Sequence, residues 1–122
     1  ECIRFDGGRF DILNGFDEML LCGMAVGARG GVGSTYNYSL RTYQNIYDAF
    51  MAGDLEQARA AQQESVDIVH VIINHGGGIR GGKAIMKLVG IDCGDCRLPL
   101  APYTEAEIAR LDEELRAIGF KK

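Results

Sequence analysis

Phe10-Asp11-Ile12-Leu13-Asn14-Gly15-Phe16-Asp17-Glu18 is the stretch on which the fold turns. Its first half is a short apolar-rich run closed by Gly15, the pattern of a strand ending in a turn. Asp17 and Glu18 then open a helical pattern, and acids in a first turn are favoured by the helix dipole. Met19, Leu20, Cys22, Gly23, Met24, Val26 and Ala28 make that helix apolar on most of its circumference, as suits a helix between a sheet and another layer or subunit. Ala28-Arg29-Gly30 punctuates, and Gly31-Val32-Gly33-Ser34-Thr35-Tyr36 reads as a second short strand with small residues where backbones approach closely. Strand, helix, strand is the βαβ unit of a parallel sheet, with a right-handed crossover.

The remainder patterns as helices. Leu40, Tyr43, Ile46, Tyr47 and Phe50 recur at three- and four-residue spacing up to Ala52-Gly53. Asp54 with Gln57 resembles a capping box opening a long helix, whose stripe runs Leu55, Ala58, Ala61, Ser65, Ile68, Val69, Ile72 until Gly76-Gly77-Gly78 ends it. A further helix is expected from about Gly82 to Val89. A last one should start at Thr104, with Glu107 completing a capping box and Ile108, Leu111, Leu115 and Ile118 on its apolar side.

Two strands leave both edges of a parallel pair bare, so more strands are expected upstream. A (β/α)8 barrel takes about 250 residues, and 122 would supply roughly its last quarter and an extension. The fold class expected is therefore α/β: a C-terminal fragment of a TIM barrel carrying its last two strands (residues 1–53), followed by a C-terminal helical extension (54–122). The first residue is Glu1 and the opening residues read like the tail of a helix, which favours a piece of a longer chain.

Composition narrows the partners. With 47% hydrophobic and 25% charged residues the chain can bury a core, as soluble globular proteins do. No apolar run approaches the ~18 residues that cross a bilayer, and the N-terminus has no basic and apolar signal regions. Secretion and membrane insertion are not signalled. The net charge of −4 arises from intermixed acids and bases without a basic stripe, which argues against nucleic acid. Four cysteines in a chain with its own core point to a reducing, cytoplasmic setting.

Chemistry is expected where the strands end, because barrels build their active sites there. Asp17 and Glu18 follow the first strand, and Ser34 and Thr35 follow the second. Two acids and a serine suit a hydroxyl-rich ligand; the alternative is that Asp17 caps its helix and Glu18 is solvated. Cys93-Gly94-Asp95-Cys96 matches C-x-x-C, but no paired partner completes a zinc set, so a loop is the better reading. Gly76-x-Gly78-x-x-Gly81 follows a helix where a dinucleotide fingerprint needs a strand, and it too is expected to be a loop. His70 is expected to be structural or solvent-facing, and His75 to sit at a helix end favoured by the dipole.

Gly15-x-Asp17-Glu18 and Gly27-Ala28-x-Gly30-Gly31-x-Gly33-Ser34-Thr35-Tyr36-Asn37 resemble the seventh- and eighth-strand region of N-acetylneuraminate lyases, in the dihydrodipicolinate synthase superfamily. Tyr43-Gln44, Gly53-Asp54, Gly81-x-Lys83 and Cys96-Arg97-x-Pro99-Leu100 continue the resemblance across essentially the whole chain. It implies a Schiff-base aldolase of sialic acid catabolism that cleaves N-acetylneuraminate to pyruvate and N-acetylmannosamine, as a cytoplasmic homotetramer, with no cofactor and no metal. The catalytic lysine and an acid/base tyrosine are expected upstream of residue 1, so no catalytic residue is expected here. Substrate-binding roles are implied for Gly15 (by its backbone), Asp17, Glu18 and Ser34. Tyr36 is expected to pack, and Lys83, Lys87, Lys121 and Lys122 are not expected to be nucleophiles. Two other readings stay open: a different pyruvate-dependent aldolase or dehydratase of the superfamily, and a non-catalytic helical interaction module.

Overall fold

The computed structural model describes residues 1–121, so Lys122 lies outside the described residues. Five α-helices follow in order: α1 (Leu20–Ala25), α2 (Tyr36–Met51), α3 (Leu55–Asn74), α4 (Gly78–Leu88) and α5 (Glu105–Ala117). Two compact units are present, Glu1–Ser65 and the residues from Val66 onward, dividing within α3.

In the first unit, Cys2–Gly8 form 3-10 turns broken by non-helical backbone at Phe5, Asp6 and Gly7, where a helix tail was expected. The two expected strands reduce to one isolated parallel bridge, Asn14 with Gly31. Asn14 N–H donates to the Gly30 carbonyl and Val32 N–H to the Asn14 carbonyl, each at 2.9 Å. The direction is the parallel one anticipated, but no named strand forms among the described residues. An apolar run becomes a ladder only when neighbours cover it; here Phe10, Leu13 and Val32 are exposed, and glycines flank the second segment.

Asp17–Met19 is a 3-10 turn leading into α1. Leu20 and Met24 of α1 pack with Tyr43 and Ile46 of α2 and with Ala61 of α3, flanked by Leu21, Tyr36 and Phe50. Tyr36, assigned above to the end of a strand, instead opens α2 after the Ser34-Thr35 turn. The apolar spacing of α2 therefore reports its buried side correctly, while Leu40 and Tyr47 lie outside it.

In the second unit Ile68, Val69 and Ile72 of α3, Ala84 and Ile85 of α4, and Leu111 and Leu115 of α5 are buried. Helix α4 starts at Gly78, four residues earlier than expected, so the second half of Gly76-x-Gly78-x-x-Gly81 is helical, not a loop. Gly77, at φ +90, ends the turn. Gly81 is buried, and a Cβ there would meet Ile72 Cγ2 at 2.9 Å, so this glycine lets two helices approach rather than breaking one. The box at the start of α5 is complete: Thr104 accepts from Glu107 N–H and donates its own N–H to Glu107 Oε2 at 2.7 Å. No helix among the described residues is long and apolar enough to cross a membrane.

Candidate functional site

Because the bridge is parallel, the two turns that follow it, Gly15–Glu18 and Gly33–Thr35, emerge at the same end. Asp17 joins them. Its side chain is buried at 7% exposure, and Oδ2 accepts the Thr35 N–H at 3.1 Å and the Thr35 hydroxyl. The acid thus caps the entrance of α2, across eighteen residues of sequence, where a cap on its own helix was the alternative. Gly33 lies flat on this carboxylate, and a Cβ there would overlap it.

Thr35 Oγ1 is also 2.6 Å from the Tyr43 hydroxyl. A threonine has one hydroxyl hydrogen, and a carboxylate oxygen can only accept, so Thr35 donates to Asp17 and Tyr43 donates to Thr35. Burial pushes the Tyr43 hydroxyl up to about 12, opposed by its hydrogen bond with Thr35 and the nearby Ser65 hydroxyl and aided by the Asp17 charge. It therefore remains a donor at neutral pH. Ser65, fully buried beside Tyr43, accepts from Gln62 Nε2 at 2.5 Å and donates its hydroxyl to the Gln62 carbonyl at 2.8 Å. Gln62 Nε2 reaches the Asp17 carbonyl at 3.3 Å, and its Oε1 accepts the Leu21 N–H at 2.8 Å. Asp17, Thr35, Tyr43, Ser65 and Gln62 thus form a ring of polar side chains that begins and ends on Asp17, hydrogen-bonded at every join but Tyr43–Ser65, where each hydroxyl hydrogen is already given elsewhere.

The other residues expected at the site lie outside this ring. Gly15 is exposed, and nothing lies within 4 Å of where its Cβ would stand. Glu18 is half-buried and Ser34 is exposed. The Ser34 carbonyl accepts from Asn37 Nδ2 at 2.9 Å, which steadies the turn from within. Tyr36 packs as expected, its ring stacked on Tyr43 with centroids 3.9 Å apart. The hydroxyls of Tyr36 and Tyr38 are buried without a hydrogen-bond partner among the described residues. Burial drives both upward, Tyr36 to about 12.

Thr35 was read as one of the hydroxyls after the second strand, but Tyr43, Gln62 and Ser65 were not anticipated at the site. Gln62 and Asp17 are 45 positions apart, and no spacing rule links residues so distant. Lys83, on α4, donates to the Cys93 and Asp95 carbonyls at 3.1 and 2.9 Å, while Lys122 lies outside the described residues. Cys93 and Cys96 are free thiols in an irregular segment. His70 is exposed, and His75, in the turn after α3, pairs with Glu114 at 3.0 Å.

Residues 3–118 match the Dihydrodipicolinate synthetase family. The chain is 40% identical over 120 residues to the N-acetylneuraminate lyase of Gallus gallus, covering 97% of this chain and 39% of that protein. It is 38% identical over 113 residues to the N-acetylneuraminate lyase of Mus musculus, covering 92% and 35%. Among solved structures it resembles the Proteus mirabilis N-acetylneuraminate lyase with a TM-score of 0.91 and 37% identity, over 98% of this chain and 40% of that one. The chain therefore spans under two fifths of the length of these curated relatives.

Proposed function

The chain belongs to the Dihydrodipicolinate synthetase family, and from that premise we propose that it is the C-terminal portion of an N-acetylneuraminate lyase, supplying the wall that holds the sugar tail. The whole enzyme is a Schiff-base aldolase that releases pyruvate and N-acetylmannosamine. A lysine amine upstream of residue 1 condenses with the substrate keto carbon, and the resulting iminium takes up the electron pair of the breaking carbon–carbon bond. An upstream tyrosine serves as acid/base. The enzyme needs no cofactor or metal and works as a cytoplasmic homotetramer, with residues 1–53 belonging to the last two barrel units and 54–122 to the extension.

The parallel bridge that sets two polar turns at one end carries this reading. Gly15 offers its backbone, Glu18 and Asp17 accept from hydroxyls of the sugar-acid tail, and Ser34 reaches the same tail from the second turn. None of them makes or breaks a covalent bond. Their effect on rate is orientation: a polyol held in one pose keeps the scissile bond over the iminium.

The test uses the full-length protein. It should convert N-acetylneuraminate to N-acetylmannosamine and be inactivated by borohydride in the presence of pyruvate. Glu18→Ala and Asp17→Ala should weaken use of the sugar acid while pyruvate trapping persists. Loss of trapping would assign the acids to the Schiff base, and absence of N-acetylmannosamine from the unaltered enzyme would overturn the reading.

A further inference from the structure

We propose that Thr35 and Tyr43 are positioning residues that set specificity for a polyhydroxylated substrate tail, acting through Asp17 and the Ser34 turn without touching substrate themselves. This rests on the lyase reading above and names the parts of its site that do the aligning.

Ser34 and Thr35 are adjacent, so whatever fixes the Thr35 backbone fixes where the Ser34 hydroxyl can reach. Two bonds do so, both ending on Asp17 Oδ2: one from the Thr35 N–H and one from its hydroxyl. The first turn of the site is thereby locked to the second. Tyr43 completes the lock by occupying the acceptor side of Thr35 Oγ1 at 2.6 Å, which leaves the Thr35 hydrogen no competing direction but Asp17. Asp17, Thr35 and Tyr43 are all at or below 7% exposure, so water cannot substitute cheaply for a lost partner. Gly33 supplies the missing volume: any side chain there would displace the carboxylate.

The arrangement makes a definite division of labour. One oxygen of Asp17 is committed to the protein, so the spacing between Glu18 and Ser34 is set before substrate arrives. The bonds that link Tyr43, Thr35 and Asp17 in a chain polarise one another, and loss of one member loosens the rest. A tail that bonds to both turns feels that loosening. A short keto acid with no polyol feels none of it, because its binding ends at the Schiff base.

Specificity is the readout that separates positioning from simple stability. In the full-length enzyme, kcat/KM should be measured for N-acetylneuraminate and for a short 4-hydroxy-2-oxo acid without a polyol tail. Thr35→Val keeps the shape and the backbone N–H but removes the hydroxyl. It should lower the ratio of the two kcat/KM values by about tenfold or more, mainly through KM for the long substrate. Thr35→Ser should restore most of the ratio, and Tyr43→Phe should lower it about threefold to tenfold. Tyr43→Phe also serves as the probe should Thr35→Val fail to fold. An equal fall for both substrates, or an unchanged ratio in a folded variant, would overturn the proposal while leaving the lyase reading intact. An unaltered enzyme that cleaves only the short keto acid would overturn the lyase reading, and the proposal with it.

Discussion

Each unit ties remote stretches of chain together with polar side chains, but they do it in opposite media. In the first, Asp17, Thr35, Tyr43 and Ser65 are shielded from water and use hydroxyls around a single carboxylate. In the second, Arg80 is the hub. It donates to the Ala101 carbonyl at 2.7 Å, the Pro102 carbonyl at 3.2 Å and Glu107 Oε1 at 3.0 Å, and its guanidinium lies 3.8 Å from the centre of the Tyr103 ring. Tyr103 in turn donates to the His75 carbonyl, and His75 meets Glu114. Solvent reaches much of this cluster, so losing one of its bonds exposes a group that water can satisfy. Losing one from the buried ring strands a partner, at roughly 1–3 kcal/mol. The lesson is that few bonds with no solvent alternative hold geometry more tightly than many bonds with one.

The hardest blow to that contrast should come from Gly33→Ala in the full-length protein. The added methyl collides with the Asp17 carboxylate, so the ring must open or the turn must move. Overpacking of this kind costs on the order of 3 kcal/mol, read as a lower midpoint in urea together with weakened use of the sugar acid. A variant with wild-type stability and kinetics would show that the carboxylate tolerates displacement and that the ring is loose.

On the exposed side the effects should be smaller and titratable. Thr104→Ala removes the cap of α5 and should cost about 1 kcal/mol. Glu107 is held at about 2, below its usual 4.5, by hydrogen bonds from the Thr104 backbone, then Arg80, then the Thr104 hydroxyl. A carboxylate with a lowered folded-state value stabilises fully above its unfolded value and loses that contribution as pH falls through the folded one. Stability from Glu107 is thus complete above pH 4.5 and vanishes toward pH 2. Glu107→Gln should flatten the acid limb of a melting-temperature profile in that window; an unchanged limb would remove Glu107 from the second cluster's account.

The smallest effect sharpens the comparison from inside the first unit. The Tyr38 hydroxyl is buried yet outside the ring, without a hydrogen-bond partner among the described residues. Tyr38→Phe should therefore change stability by less than about 0.5 kcal/mol, or raise it, since no bond is lost. A loss near that of a ring member would mean the hydroxyl has a partner contributed by the rest of the full-length protein.

How far the sequence could be read follows the range of the interactions. The capping box at Thr104 and Glu107 is three residues long, and it is present as read. The α3 stripe is a matter of periodicity, and Ala58, Ala61, Ser65, Ile68, Val69 and Ile72 are all buried, with Leu55 at the helix start exposed. Strands were harder, because an apolar run becomes a ladder only through neighbours that lie elsewhere, and one bridge is what remains. Gly78 and Gly81 were misjudged as loop residues because a glycine's tolerance of turns and its value in close helix packing look identical in a string of letters. The site was legible as two turns at one end of a parallel pair. Its ring was not, since it joins Asp17 to Thr35 and both to α3 by folding alone.

The placement of Gln62 and Ser65 matters for anyone who would split this protein into two pieces. Gly53, exposed at a positive φ of 78°, looks like the natural scissor point. Severing there would put Asp17 on one half and its backbone anchor on the other. Complementation between such halves would have to rebuild a water-excluding polar joint on reassociation, whereas a nick after α3, at Gly76-Gly77, would leave that joint on a single polypeptide.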